Sequence, residues 1–390
     1  MDCLDEKDHL RDNHSLKIVL TANSSWYIYN FRRSTIKALI NIGFDVLVVV
    51  PDYEYKDSIL KFGAKFEKVD LKPKSINIFT ECTSLISYYK IIKKFNPQVI
   101  LTFTPKANIY CGLLAYKFDA KVIPNISGLG SALFVNSNTI LSQIVKLLYK
   151  IALKKAAFVF FQNEDDRQLL INSGCVNYEK TCRIFGSGVD LSKFLPSNKN
   201  LKQRSCVKFI LVARLLYTKG ILHYLKAAEI IKSKYPNCSF SLLGAFEKNE
   251  KIITKELIEG FCTRGIVNYY GTSDDVASIM KHYDAIVLPS FYREGVPKAL
   301  IEGASSGLAI LTTDNVGCRD MVQNEVNGFL CQPNDLDSLV DIIEKYILLT
   351  DEMKNTMSIK SREFAESHCD ENKIIEKYTN TINDVLNRNH

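Results

Sequence analysis

No Cys-x-x-Cys pair and no metal-ligand spacing occurs among the eleven cysteines, which are scattered from Cys3 to Cys369. That excludes a zinc framework and leaves the thiols to be read as reduced, buried residues of a cytosolic protein. No stretch reaches about 18 uninterrupted apolar residues, the length a membrane-spanning helix needs. The polar, acidic run from Met1 to Asn13 reads as neither a signal peptide nor an anchor. Nor does a Gly-x-Gly-x-x-Gly follow the first apolar run: Ala22-Asn23-Ser24-Ser25-Trp26 stands there, which excludes the dinucleotide fingerprint. Internal repeats of about 20–50 residues, low-complexity tracts and any nucleic-acid-binding module are also missing.

What is present points to two α/β domains. The chain has 390 residues, 46% hydrophobic and 24% charged, too long for one ordinary core and too apolar to be disordered. Leu16 to Thr21 and Asp45 to Pro51 are short apolar runs with a helical pattern, Arg33 to Ile42, between them, the signature of a βαβ unit with a buried parallel sheet. Strand patterns recur at Val69 to Leu71, Val99 to Thr104, Val122 to Ile126 and Ala157 to Gln162, separated by helical ones. The alternation restarts at Val207 after the polar stretch Pro196 to Ser205, which reads as a linker. The expected fold class is therefore α/β, two doubly wound Rossmann-like domains over 1–195 and 206–370 facing across a cleft.

The stretch that organises the chemistry is Pro289-Ser-Phe-Tyr-Arg-Glu294-Gly-Val-Pro-Lys-Ala-Leu-Ile-Glu302. Gly295 and Pro297 mark a loop that turns into a helix, so Glu302 is expected about one turn into that helix and Glu294 on the loop before it. The entrance of such a helix suits an anion such as a diphosphate, while the carboxylates can accept hydrogen bonds from ribose or sugar hydroxyls. Standing alone, two such glutamates read equally as surface charges. In Ala213-Arg214-Leu-Leu-Tyr-Thr-Lys219-Gly220 two cations follow a strand, able to neutralise phosphates and stabilise a leaving diphosphate. Asp335-Leu336-Asp337, formally Asp-x-Asp, and Asp274-Asp275 open helices and are read as caps rather than metal ligands. The formal net charge of +7 lies entirely in residues 1–190, with 25 Lys+Arg against 18 Asp+Glu, whereas 191–390 hold 25 of each. A basic half suggests an acidic partner.

Strand–Arg214–x4–Lys219–Gly220, Gly186-Ser-Gly-Val-Asp190, Pro289-Ser290, Glu294 to Glu302 and Asp314-Asn-Val-Gly317-Cys-Arg-Asp320, in that order, resemble the GT-B glycosyltransferases of family 4 over roughly residues 16–388. The resemblance implies that Arg214 and Lys219 bind the donor diphosphate and that Glu294 contacts the donor sugar, these three forming the catalytic set. It further implies that the backbone at Gly295, Val296 and Pro297 approaches sugar and phosphate, that Glu302 holds the ribose, and that Tyr270 and Gly271 border the donor. Tyr27-Ile-Tyr-Asn30-Phe-Arg32, Ile36-Lys-Ala-Leu39, Val50-Pro51, Gly128-Leu-Gly130-Ser131 and Glu371 to Tyr378 look like the bacterial enzymes that add N-acetylgalactosamine in α-1,3 linkage to a polyprenyl-diphosphate-linked sugar. On that likeness Asn23, Ser24, Tyr27, Arg32, Ser127, Gly128 and Gly130 are acceptor-binding, and a C-terminal helix at about 371–388 rejoins the N-terminal domain.

Two positions depart from the pattern. A Gly-Gly loop common in relatives is here Asn23-Ser24-Ser25, and Ser127 stands where many have a histidine; none of the six histidines is an obvious replacement. The implied reaction retains anomeric configuration, with a UDP-sugar donor, a polyprenyl-diphosphate-linked acceptor, no metal and no other cofactor. A nucleotide-sugar-binding regulator, an inactive partner subunit, or a transferase with a soluble acceptor are the competing readings. The expected location is the cytoplasm, at the inner face of the plasma membrane. In Ile140 to Lys155, Lys146, Lys150 and Lys154 fall on one side and Ile140, Leu141, Ile144, Leu147, Leu148 and Ile151 on another. That is the pattern of an interfacial helix on an anionic membrane surface, or of a helix whose apolar side packs on its own sheet.

Overall fold

In the computed structural model, which describes residues 15–73, 75, 77–129, 140–197 and 206–387, every paired strand runs parallel to its neighbour. The first sheet comprises β1 (Lys17–Thr21), β2 (Asp45–Val50), β3 (Lys65–Lys68), β4 (Val99–Thr102), β5 (Lys121–Ile126), β6 (Val159–Phe161) and β7 (Thr181–Arg183), in the order β3-β2-β1-β4-β5-β6-β7. Between them run α1 (Ser25–Asn41), α2 (Lys56–Leu60), α3 (Ile78–Phe95), α4 (Pro105–Leu114), α5 (Ile140–Lys154) and α6 (Glu164–Asn172). The second sheet comprises β8 (Lys208–Val212), β9 (Ser239–Leu243), β10 (Asn268–Tyr269), β11 (Ala285–Leu288), β12 (Ala309–Thr313) and β13 (Gly328–Cys331), in the order β10-β9-β8-β11-β12-β13. Its helices are α7 (Ile221–Lys234), α8 (Lys255–Thr263), α9 (Val276–Met280), α10 (Lys298–Ser305), α11 (Leu336–Leu348), α12 (Asp351–His368) and α13 (Glu371–Asn387). The α/β class with two parallel sheets is the one the alternating pattern implies.

The central strands are apolar because crossover helices cover both faces. Ile18, Val19 and Leu20 are no more than 1% exposed, as are Phe209, Ile210 and Leu211. At the sheet edge the pattern misleads. The strand expected at Val69 to Leu71 is Lys65–Lys68 instead, a charged edge strand, while Val69 and Leu71 are buried just beyond it. Helix α1 begins eight residues earlier than its apolar periodicity indicates, because Ser24 caps it, its Oγ accepting from Tyr27 N; Asn77 caps α3 in the same way, its Oδ1 accepting from Phe79 N and Thr80 N. Asp335 and Asp275 likewise cap α11 and α9, accepting from Ser338 N and Ser278 N. The ten described cysteines are free thiols, but Cys82 is exposed on α3 rather than buried. No helix among the described residues is long and apolar enough to cross a membrane.

By packing, the chain forms two compact units, one up to Pro124 with Lys155–Ala157 and from Ile382 onward, the other Asn125–Lys154 with Phe158–Thr381. The boundary between them falls inside β5. The sheets change over between β7 and β8, across the expected linker, of which residues 198–205 lie outside the described residues. Within the second unit the Tyr378 hydroxyl, from the part of α13 up to Thr381, is bonded to Asn125, and its ring lies 4.7 Å from that of Phe160.

Strand order reverses direction between β1 and β4 in one sheet and between β8 and β11 in the other. Loops leaving the carboxyl ends of such neighbours diverge and open a crevice. After β8 and β11 those loops meet at Gly220, whose φ is +76° and where a Cβ would lie 2.1 Å from the Pro289 carbonyl oxygen. Gly220→Ala should therefore cost about 2 kcal/mol or more. Gly260→Ala, inside α8 with open space around it, should gain ~0.5–1 kcal/mol. Urea denaturation checks both, and a Gly220→Ala midpoint equal to wild type would contradict the crowding.

Candidate active site

The loop after β8 carries Arg214 and ends in a 3₁₀ turn, Tyr217–Lys219. Glu250 anchors it by accepting from Tyr217 N at 2.9 Å; bonds from the Tyr217 and Ile252 amides hold the Glu250 carboxyl below its ordinary range. Lys219 reaches across to the loop after β11, where its Nζ donates to both Glu294 carboxylate oxygens at 2.6 Å. Ser290 Oγ adds a third bond to Glu294 Oε1 at 3.0 Å. Both side chains of this pair are largely buried, 14% and 18% exposed. Arg214 stands apart, 59% exposed and bonded to Glu247 at 2.8 Å. Glu302 sits in the second turn of α10, 12% exposed, with Lys298 Nζ 3.9 Å away. Tyr270 and Gly271 follow β10; Tyr270 is exposed, and the Gly271 carbonyl accepts from Gly244 N at 2.7 Å.

The backbone of the Glu294 loop is held from several sides. Gly295 N donates to the Ser127 carbonyl at 3.0 Å, so that amide is engaged within the protein, and Pro297 caps α10. A Cβ on Gly128 would lie 2.6 Å from Gly295 N, and one on Gly317 would lie 2.2 Å from Gly295 O. Val296 is buried at 6% exposure. Sequence reasoning placed Ser127 and Gly128 at the acceptor; here they pack on the peptide between Glu294 and Gly295. Gly130 lies outside the described residues. Cys318 beside this loop is no nucleophile at neutral pH, since burial pushes its thiol up to about 12.

Three residues that sequence reasoning missed also hold this loop: Asn163, Asp166 and Arg293. Arg293 forms an ion pair with Asp166, and Asn163 Nδ2 donates to the Glu294 carbonyl at 3.2 Å. Asn163-x-x-Asp166 directly after a strand is a helix-opening signature, and Arg293 adjoins Glu294; only those signals were available.

In the first unit, Asn23 and Ser24 follow β1 at that sheet's reversal point, with Ser24 committed to capping α1. Tyr27 accepts from Arg32 Nη2 at 3.3 Å. Arg32 is only 1% exposed, its guanidinium 4.2 Å from the Phe103 ring centre, so it is a core cation rather than a surface one. In the second unit, α5 buries Ser142, Tyr149, Ala152 and Leu153 and leaves Ile144, Leu147 and Ile151 exposed at 49%, 56% and 38%. Lys146, Lys150 and Lys154 are exposed as well, and Leu148 is half-buried. The side chains of Ile140 and Leu141 lie outside the described residues.

Residues 17–163 match the family described as Glycosyl transferase 4-like, and residues 196–364 match Glycosyl transferases group 1. A Campylobacter jejuni N,N'-diacetylbacillosaminyl-diphospho-undecaprenol alpha-1,3-N-acetylgalactosaminyltransferase is 27% identical, over 95% of this chain and 99% of its own length. An Escherichia coli UDP-Gal:alpha-D-GlcNAc-diphosphoundecaprenol alpha-1,3-galactosyltransferase is 29% identical over 74% of this chain and 76% of its own. Among solved structures, Anabaena HepE in complex with UDP superimposes with a TM-score of 0.76 at 16% identity, covering 95% of this chain and all of that one. With paired loops at the reversal point of its second sheet and both halves matched in order, the chain belongs to the GT-B glycosyltransferases of family 4.

Proposed function

We propose that this glycosyltransferase moves N-acetylgalactosamine, or another hexose or N-acetylhexosamine, from a UDP-sugar to a polyprenyl-diphosphate-linked saccharide during cell-surface glycan synthesis. The observation that carries this reading is the juxtaposition of Lys219 and Glu294 on neighbouring strand-end loops, with Arg214 on the same loop as Lys219. The two lipid-linked-sugar transferases that resemble the chain support the acceptor class. In this reading Lys219 and Arg214 take the diphosphate, Glu294 the sugar and Glu302 the ribose. Arg214 leaves Glu247 at little cost, because exposed ion pairs contribute about 0–1 kcal/mol. Configuration is retained: the nucleoside diphosphate departs and the acceptor hydroxyl arrives on one face, and the leaving phosphate takes the proton. The protein supplies orientation and charge stabilisation, and no metal is given a role.

The acceptor is a membrane lipid, and α5 has a face suited to reaching it. Its exposed Ile144, Leu147 and Ile151 lie opposite its buried residues, beside Lys146, Lys150 and Lys154, an arrangement matched to an anionic bilayer surface. That supports association with the inner face of the plasma membrane.

A donor panel of UDP-N-acetylgalactosamine, UDP-N-acetylglucosamine, UDP-galactose, UDP-glucose and GDP-mannose against short polyprenyl-diphosphate sugars tests the reaction. Transfer from a UDP-sugar is expected, and its absence with every UDP-sugar would overturn the reading. Arg214→Ala should lower turnover ~100-fold, about 3 kcal/mol on the barrier, with folding unchanged. Glu302→Gln should chiefly raise the donor KM and Glu294→Gln chiefly lower kcat. In liposome co-sedimentation, replacing Lys146, Lys150 and Lys154 by Gln should weaken partitioning to anionic vesicles ~100-fold at low salt, each lysine contributing ~1 kcal/mol. Equal partitioning of variant and wild type would exclude this helix as the docking site.

A further inference from the structure

We propose that Asn163, Asp166 and Arg293 are positioning residues that act through Glu294, fixing the peptide from which its carboxylate projects. The inference rests on the role given to Glu294 above. Asp166 is fully buried, and its four acceptor positions are all used. Oδ1 accepts from Arg293 Nε at 3.0 Å and Nη2 at 2.5 Å; Oδ2 accepts from Leu129 N at 3.0 Å and Asn163 Nδ2 at 2.9 Å. Asn163 Oδ1 accepts in turn from Asp166 N at 2.7 Å, which orients the amide so that Nδ2 also reaches the Glu294 carbonyl.

The peptide between Glu294 and Gly295 is thereby bonded at both ends, its carbonyl to Asn163 and its N–H to the Ser127 carbonyl. Both partners come from one stretch, 127–166, and Asp166 ties that stretch together by bonding Leu129 and Asn163 at once. Arg293, the residue before Glu294, closes the arrangement from the other side. The loop needs this because it belongs to no helix or strand: residues 289–297 follow β11 and precede α10. A buried ion pair adds little net stability over apolar residues of similar volume, so geometry is what this one supplies. Displacing a catalytic group by about 1 Å can cost ~100-fold in rate.

The experiment compares four proteins in steady-state transfer and thermal unfolding: Glu294→Gln, Arg293→Lys, the double variant Asp166→Leu/Arg293→Met, and that double variant combined with Glu294→Gln. The double variant leaves no buried charge unpaired but takes an acceptor from Leu129 N and Asn163 Nδ2, so it should stay folded and unfold a few degrees below the wild type. Its kcat should fall ~30–100-fold with the donor KM changed less than about 2-fold. Arg293→Lys, which keeps the charge but loses the fork, should fall roughly 5–10-fold and remain folded. In the Glu294→Gln background the double substitution should cost less than about 2-fold more, since both act through one group.

A double variant with wild-type kcat beside an impaired Glu294→Gln would overturn the positioning role alone. A multiplicative loss in the combined protein would do the same, showing that the pair acts elsewhere. If the double variant does not fold, wild-type kcat in Arg293→Lys is the overturning result. Wild-type kcat in Glu294→Gln would overturn both this inference and the function proposed for that residue.

Discussion

A carboxylate withdrawn from water must be met by a cation or by hydrogen bonds, and Glu294 is met by both. Lys219 and Ser290 satisfy it, and the rest of the second sheet is arranged so that they can. The loops after β8 and β11 leave neighbouring strands, and they touch at Gly220 because it has no side chain to hold Pro289 away. Apolar strands, a reversal of strand order and one glycine thus bring a lysine and a glutamate, 75 positions apart in the chain, into one ion pair.

The legible parts of the chain were those where one physical requirement dominates a short window. Strands buried on both faces leave continuous apolar runs, so β1, β2 and β8 could be read directly, as could the loop-to-helix turn between Glu294 and Glu302. The edge strand β3 could not, since its Lys-Phe-Glu-Lys sequence resembles a loop and the adjacent Val69 and Leu71 carry the apolar signal. The start of α1 is set by its cap, Ser24, and not by periodicity, so the apolar pattern picks the helix up eight residues late. The hold on the Glu294 peptide was hidden for a different reason. Asp166 sits in an acidic first turn with Glu164 and Asp165, where dipole pairing already explains a carboxylate, and its partner Arg293 is 127 residues away.

Charge is distributed to match this division of labour. The positive excess lies in residues 1–190, while residues 191–390 hold equal numbers of cations and anions and place two of the cations, Arg214 and Lys219, on the loop after β8. Helix α5 is apolar on two sides: Tyr149, Ala152 and Leu153 are buried in the protein's interior, and a separate apolar stripe, Ile144, Leu147 and Ile151, remains exposed. Arg32 shows the reverse, a cation placed in a core and covered by Phe103 and Tyr27.

The Lys219–Glu294 pair is neutral overall, a cation and an anion that already answer each other. Before any donor arrives the ammonium already has a resident counter-ion, so the crevice does not present a bare positive charge to free phosphate or to other passing anions. Two of the three ammonium protons go to the carboxylate. Under the function proposed above, an incoming diphosphate that took Lys219 would bring more negative charge than one glutamate and would repel it. In that reading the anion that took the lysine would also set the carboxylate loose, at the moment when a sugar hydroxyl attached to that same anion would be there to meet it.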